Sequence, residues 1–198
     1  VKPATVTSFV TERIVRAMIE SGILPAGALQ LIVGGVGDLF EHIDCQDVVT
    51  FTGSAKTGQM LKTHHAITEN SVRFNMEADS LNFSMLAPDA KPGTDEFDLF
   101  VKEVVREMTS KTGQKCTAIR RTIVPEAMVG DLVEAVKKRL AGVKIGDPST
   151  EGVKMGPLAG RTQVGEVGRS LDALLSATER VYGDPNNFDV IGADRNKG

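Results

Sequence analysis

Asp47-Val48-Val49-Thr50-Phe51-Thr52-Gly53-Ser54-Ala55-Lys56-Thr57-Gly58 passes from a strand pattern into a helix start. Residues 48–52 are β-branched or aromatic, the composition of a strand. Gly53 breaks the run, and a serine just before a helix is a preferred N-cap. The helix is expected to run to about His64, and Ser71 to Glu77 reads as the next strand. Strand, helix, strand in that order requires a crossover, hence a parallel pair in an α/β layer. Upstream, Thr7 to Ser21 fits an amphipathic helix, with Phe9, Ile14, Val15, Ala17, Met18 and Ile19 on its apolar face and Gly22 and Pro25 closing it. Leu29 to Val33 reads as a short buried strand ended by Gly34-Gly35, and Gly37 to Ile43 as a short helix.

The pattern restarts downstream. Leu81 to Leu86 is a strand, Pro88 to Gly93 a loop, and Asp95 to Thr109 a long helix burying Phe97, Phe100, Val101, Val104, Val105 and Met108. Arg121 to Val124 is a strand, Met128 to Val143 a helix, Gly146 to Gly156 a polar loop, and Arg161 to about Ala177 a last helix. The domain boundary is expected near Asp79 to Asn82, between two α/β layers.

Composition excludes several classes. The 198 residues are 41% hydrophobic and 25% charged, an ordinary globular composition. A net charge of −3 argues against nucleic acid as a partner. The apolar runs are too short to span a membrane, so no membrane role is expected. No secretory leader is visible, and two cysteines are too few for a disulfide scaffold, which together point to the cytoplasm. The chain opens on Val1 rather than Met, and both ends look cut. His42, His64 and His65 lack metal-ligand spacing; they read as solvated helix-end residues, and no metal is expected.

Four features bear on chemistry, each with a plainer reading. Phe51 to Gly58 can hold a phosphate: Gly53 lets a backbone approach, and Ser54 caps a helix whose free N–H groups favour anions. Alone it reads first as a capped helix after a tight turn, and Gln59-Met60 rules out a Walker A loop. Gly34-Gly35-Val36-Gly37 lacks the third glycine of a dinucleotide fingerprint, because Phe40 stands there, and reads as a turn. Cys116, in the polar loop Thr112-Gly113-Gln114-Lys115-Cys116-Thr117, stands beside a lysine and is a better candidate for a reactive thiol than Cys45, which reads as structural. Glu77 closes an apolar strand, where α/β sheets place ligands, but alone it is an ordinary surface acid.

Taken together, Lys2-Pro3-Ala4, Phe51-Thr52-Gly53-Ser54 with Gly58, the strand ending at Glu77, and Gly113-Gln114-Lys115-Cys116 resemble the aldehyde dehydrogenase superfamily, in family order and over essentially the whole chain. The resemblance implies an α/β, aldehyde dehydrogenase-like fold. Residues 1–79 would be the C-terminal part of a Rossmann-type NAD(P)-binding domain, and residues 80–198 the N-terminal part of the α/β catalytic domain. It implies Cys116 as nucleophile, Glu77 as general base, and Lys2, Thr5, Gly53 and Ser54 as cofactor contacts. Where most members follow the glutamate with Leu-Gly-Gly-Lys, this chain has Ala78-Asp79-Ser80-Leu81. That variant, with the stretch from Glu103 to Arg121, looks like the semialdehyde dehydrogenases of aerobic aromatic degradation through CoA thioesters. Phenylacetate degradation is the first expectation, in a protein that adds a hydratase domain, and benzoyl-CoA degradation is the alternative.

By the same resemblance the chain is the middle of a longer enzyme that forms a homo-oligomer. The oxyanion-hole asparagine would lie upstream and the nicotinamide-ribose glutamate downstream, so the isolated chain is expected to be inactive. Thr5 stands where NAD-preferring relatives often carry a glutamate; a neutral hydroxyl tolerates a 2′-phosphate, which favours NADP, with NAD as the alternative. The competing class is a non-catalytic module on the same fold, against which the retention of both Cys116 and Glu77 argues.

Overall fold

The computed structural model describes residues 1–195. The chain divides into two compact units, Val1–Asp79 and Ser80–Gly198.

In the first unit a 3₁₀ turn, Thr5–Thr7, leads into helix α1, Ser8–Glu20. Of the expected apolar face of α1 only Val15 is buried, and Phe9 is 90% exposed, because no described residue packs over it. A 3₁₀ turn, Leu39–His42, precedes strand β1, Val48–Gly53. Helices α2, Ala55–Lys62, and α3, His65–Glu69, then lead to strand β2, Arg73–Ala78. β1 and β2 pair in parallel, from Val48 opposite Arg73 to Gly53 opposite Ala78. Alternation divides this pair into two faces. Val49, Phe51, Phe74 and Met76 share the face on which α2 lies, and Thr50, Thr52, Asn75 and Glu77 share the other. The approach of α2 is close: a Cβ on Gly58 would stand 2.3 Å from Met76 Sδ.

Two further details of this unit differ from the sequence reading. Leu29 to Val33 is not a strand. Among the described residues its backbone hydrogen-bonds only to Val1, whose amino group donates to the Gln30 carbonyl at 2.7 Å and whose carbonyl accepts from Ile32 N–H at 2.9 Å. Two bonds to one residue make no ladder, and Val33 is left 58% exposed. The helix expected to run to about His64 ends at Lys62, with Thr63 as its C-cap. The Thr63 hydroxyl bonds back to the Gln59 carbonyl at 2.9 Å, and His64 turns extended (φ −62°, ψ 137°) to cap α3, its Nδ1 accepting the Ala66 N–H at 3.2 Å.

The second unit contains strand β3, Phe83–Met85, helix α4, Asp95–Thr109, strand β4, Arg121–Ile123, helix α5, Val129–Leu140, and helix α6, Arg161–Leu175. β3 and β4 are parallel, with Phe83 opposite Arg121. α4 has the limits its pattern predicts. Thr94 Oγ1 accepts the Phe97 N–H at 3.3 Å, and Asp95, Glu96 and Asp98 place negative charge at the positive end of the helix dipole. Leu86, Phe97, Val101, Met128 and Leu132 form the core, joining the sheet edge to α4 and α5. Phe97, Val101, Val104 and Val105 are buried as expected, whereas Met108 is 44% exposed and Glu107 is buried instead. Among the described residues no helix is long and apolar enough to cross a membrane.

Candidate active site

The first unit offers a cradle at the carboxyl end of its parallel pair. β1 ends at Gly53, where a Cβ would come 2.5 Å from the Phe51 ring, so any larger residue would require that ring to shift. Ser54 Oγ accepts the Thr57 N–H at 3.3 Å, and the Gly58 N–H closes on the Ser54 carbonyl at 2.9 Å. Among the described residues the first turn of α2 thus leaves the Ala55 and Lys56 N–H groups without an acceptor, and these are the donors an anion needs. Glu77 stands opposite Thr52 one step before the strands end, exposed, on the face away from α2. Lys2 and Thr5 are both exposed, Thr5 opening the first 3₁₀ turn, and Lys2 Nζ bonds to the Pro3 carbonyl at 3.2 Å.

In the second unit Cys116 is a free, exposed thiol on the connection from α4 to β4. The loop enters through three consecutive left-handed residues, Lys111 (φ 51°), Thr112 (φ 56°) and Gly113 (φ 70°). That conformation is costly for a β-branched threonine, and specific bonds hold it. Thr112 Oγ1 donates to the Gly156 carbonyl at 2.8 Å, and Gln114 Oε1 accepts the Ala159 N–H at 2.7 Å. The Lys115 charge expected to assist the thiol is engaged elsewhere. Its Nζ lies 2.8 Å from both oxygens of buried Glu107, with hydrogen-bond geometry toward Oε1 alone, so the ammonium anchors the loop to α4. Arg120 and Asn82, given no role from sequence, also bind the loop. Arg120 donates to the carbonyls of Gly113 and Lys115 at 2.9 and 3.1 Å, and Asn82 Nδ2 to the carbonyl of Cys116 at 2.6 Å. The one sequence signal for Glu107 is its place three residues after buried Val104, on a helix stripe that should be apolar.

Glu41, His64 and His65 bring ligand-type atoms within 4.8 Å of one another. The Glu41 carboxylate lies 2.9 Å from His65 Nε2 and 3.8 Å from His64 Nε2, and the two rings stack at 4.5 Å. His64 is half-buried rather than solvated. Because its Nδ1 accepts a backbone N–H, the neutral ring carries its proton on Nε2 and faces Glu41 as a donor. Metal binding through Nε2 would require the proton on Nδ1 and the loss of the α3 cap.

Residues 1–187 match the aldehyde dehydrogenase family, and the chain belongs to that family. Among its relatives is the 3,4-dehydroadipyl-CoA semialdehyde dehydrogenase of Aromatoleum evansii, 49% identical over 98% of this chain and 38% of that protein. The alpha-ketoglutaric semialdehyde dehydrogenase of Bacillus subtilis is 32% identical over 91% of this chain and 34% of that protein. The chain therefore spans little more than a third of the relatives it matches. The NADP-dependent glyceraldehyde-3-phosphate dehydrogenase of Bacillus halodurans, solved with NADP, has a TM-score of 0.73 and 26% identity, over 92% of this chain and 37% of that one. Betaine aldehyde dehydrogenase of Staphylococcus aureus, solved with NAD⁺, shares the fold with a TM-score of 0.76 at 24% identity, over 88% of this chain and 34% of that one. The α/β, aldehyde dehydrogenase-like fold expected from the sequence is the fold of these neighbours.

Proposed function

We propose that the intact protein oxidises a CoA-linked semialdehyde to its carboxylic acid, with Cys116 as nucleophile and Glu77 as general base. The observation that carries this reading is the exposed Cys116 thiol on a strained loop braced from several sides. Family membership and 49% identity to a dehydrogenase named for a CoA-linked semialdehyde support it. That relative also gives the benzoyl-CoA branch more weight than the phenylacetate branch; the chemistry is the same in both.

A nicotinamide dinucleotide fits the cradle at α2. Gly53, Ser54 and the free amides of Ala55 and Lys56 would take its phosphates, and Lys2 and Thr5 its adenosine ribose. When bound, the nicotinamide ring accepts the hydride that leaves the reacting carbon. Thr5, neutral and exposed, supports NADP over NAD. The chain's own part begins with Cys116, its thiol proton given up to solvent, adding as the thiolate to the aldehyde carbon; a C–S bond forms and the carbonyl π pair moves onto oxygen. The Cys116 N–H stabilises that oxyanion. The thioester later held on Cys116 is hydrolysed when Glu77 takes a proton from water. The water oxygen bonds to the acyl carbon, the C–S bond breaks, and Cys116 leaves as a thiolate. A base at Glu77 favours hydrolysis over acyl transfer to free CoA.

The test is rapid-quench and stopped-flow kinetics of the full-length enzyme with 3,4-dehydroadipyl-CoA semialdehyde and a simple aliphatic aldehyde. Cys116→Ala should lose both the NADPH burst and steady turnover, and Glu77→Gln should keep the burst and lose turnover. Full turnover by either variant refutes the roles. A higher kcat/KM for the simple aldehyde refutes the substrate class.

A further inference from the structure

We propose that Arg120 and Asn82 are positioning residues for this reaction: they fix the two peptide planes that flank Cys116, so that its N–H is aimed in advance at the developing oxyanion. The inference rests on Cys116 being the nucleophile. A peptide unit is planar and trans, so its C=O and N–H point in opposite directions. The Cys116 N–H shares its plane with the Lys115 carbonyl, which accepts from Arg120 Nη2 at 3.1 Å and from the Ala118 N–H at 3.3 Å. The next plane carries the Cys116 carbonyl, which accepts from Asn82 Nδ2 at 2.6 Å. Arg120 Nη1 also holds the Gly113 carbonyl at 2.9 Å, and Asn82 Nδ2 reaches the Ala118 carbonyl at 3.3 Å. Four loop carbonyls are thus turned toward two side chains. Among the described residues, the Cys116 and Thr117 N–H groups have no protein acceptor.

The clamps themselves are fixed. Asn82 stands directly before β3 and Arg120 directly before β4, and the Asn82 carbonyl accepts the N–H groups of Arg120 at 2.9 Å and Arg121 at 3.2 Å. Arg120 Nε points to Ser80 Oγ at 3.4 Å. A guanidinium suits this task because its donors form a rigid planar fork that can hold two carbonyls at once, whereas an ammonium is a single point. An oxyanion donor is effective when it is oriented before the charge appears.

The experiment compares two reactions of one thiol in the full-length enzyme. Aldehyde oxidation passes through an oxyanion; alkylation by iodoacetamide is displacement at a saturated carbon and forms none. Arg120→Ala should lower kcat on the order of 100-fold, the loss seen when one oxyanion donor is removed, with KM and the Cys116 alkylation rate essentially unchanged. Asn82→Ala should show a smaller loss of the same kind. Arg120→Lys, which keeps the charge but reaches one carbonyl, should fall between, and guanidinium ion at millimolar concentration should restore part of the Arg120→Ala loss. A parallel fall of alkylation and turnover would mean the clamps only keep the loop folded and would overturn the proposal, as would undiminished turnover in both alanine variants. Cys116→Ala, run alongside, separates the premises: full turnover there removes the nucleophile reading itself and this inference with it.

Discussion

Replacing Lys115 by alanine isolates the ion pair that ties the Cys116 loop to α4. The side chains of Glu107 and Lys115 are 10% and 22% exposed, with Nζ 2.8 Å from both carboxylate oxygens. Removing one partner of a buried pair costs about 3–5 kcal/mol, because the remaining charge is left without compensation. Two features reduce that figure. Lys115 retains some solvent, and Arg106 Nη2, 63% exposed, lies 3.3 Å from Glu107 Oε1 and can take up part of the charge. A loss of about 2 kcal/mol is expected, localised to the end of α4 and the loop. Hydrogen exchange of the intact protein reads such a local opening directly. Protection over residues 104–118 should fall about 30-fold, since each 1.4 kcal/mol is a factor of ten, while α5 changes little. Glu107→Gln in the Lys115→Ala background should restore much of the protection, because a neutral amide costs less to leave unpaired. A loss under about 0.5 kcal/mol would place the pair with ordinary surface bridges. That result, or simple additivity of the two substitutions, would refute the reasoning.

Thr5→Glu should shift the ratio of kcat/KM values toward NAD by on the order of tenfold, through repulsion of a 2′-phosphate; steady-state kinetics with both cofactors checks it, and an unchanged ratio removes Thr5 from the adenosine site. Gly58→Val should destabilise the first unit by roughly 1–3 kcal/mol, since its Cβ would meet Met76 Sδ at 2.3 Å and Phe51 Cδ1 at 3.3 Å. Thermal melts should show Met76→Ala restoring part of that loss, and a Gly58→Val protein as stable as wild type would deny the close seat of α2.

Local chemistry decided what could be read in advance. The β1–α2–β2 unit was legible because a β-branched run meets a glycine and a capping serine, and the limits of α4 because Thr94 and the acids behind it announce a start. Leu29 to Val33 misled because apolar content does not supply a pairing partner, and among the described residues its backbone bonds only to Val1. The break at His64 was hidden because no glycine or proline marks it; two side chains make it by bonding to backbone. In the site, the polar setting of Cys116 was visible. Its braces were not, because Asn82 and Arg120 act across 34 and 5 residues on carbonyls, which every residue possesses. The partner of Lys115 was hidden for a related reason: adjacency in sequence does not say where a long side chain ends, and this one ends on Glu107.

The pinning of Thr112 to Gly156 and of Gln114 to Ala159 also orders events in time. These bonds close loops of 44 and 45 residues, so the left-handed entry to the Cys116 loop lacks two of its ties until that later segment has been made. Translation at about 5–20 residues per second separates the two by roughly 2–9 s. During that interval the nascent chain carries the thiol on a segment braced at fewer points. The cysteine is synthesised first, and the bracing of its loop is completed only with the arrival of residues 156–159.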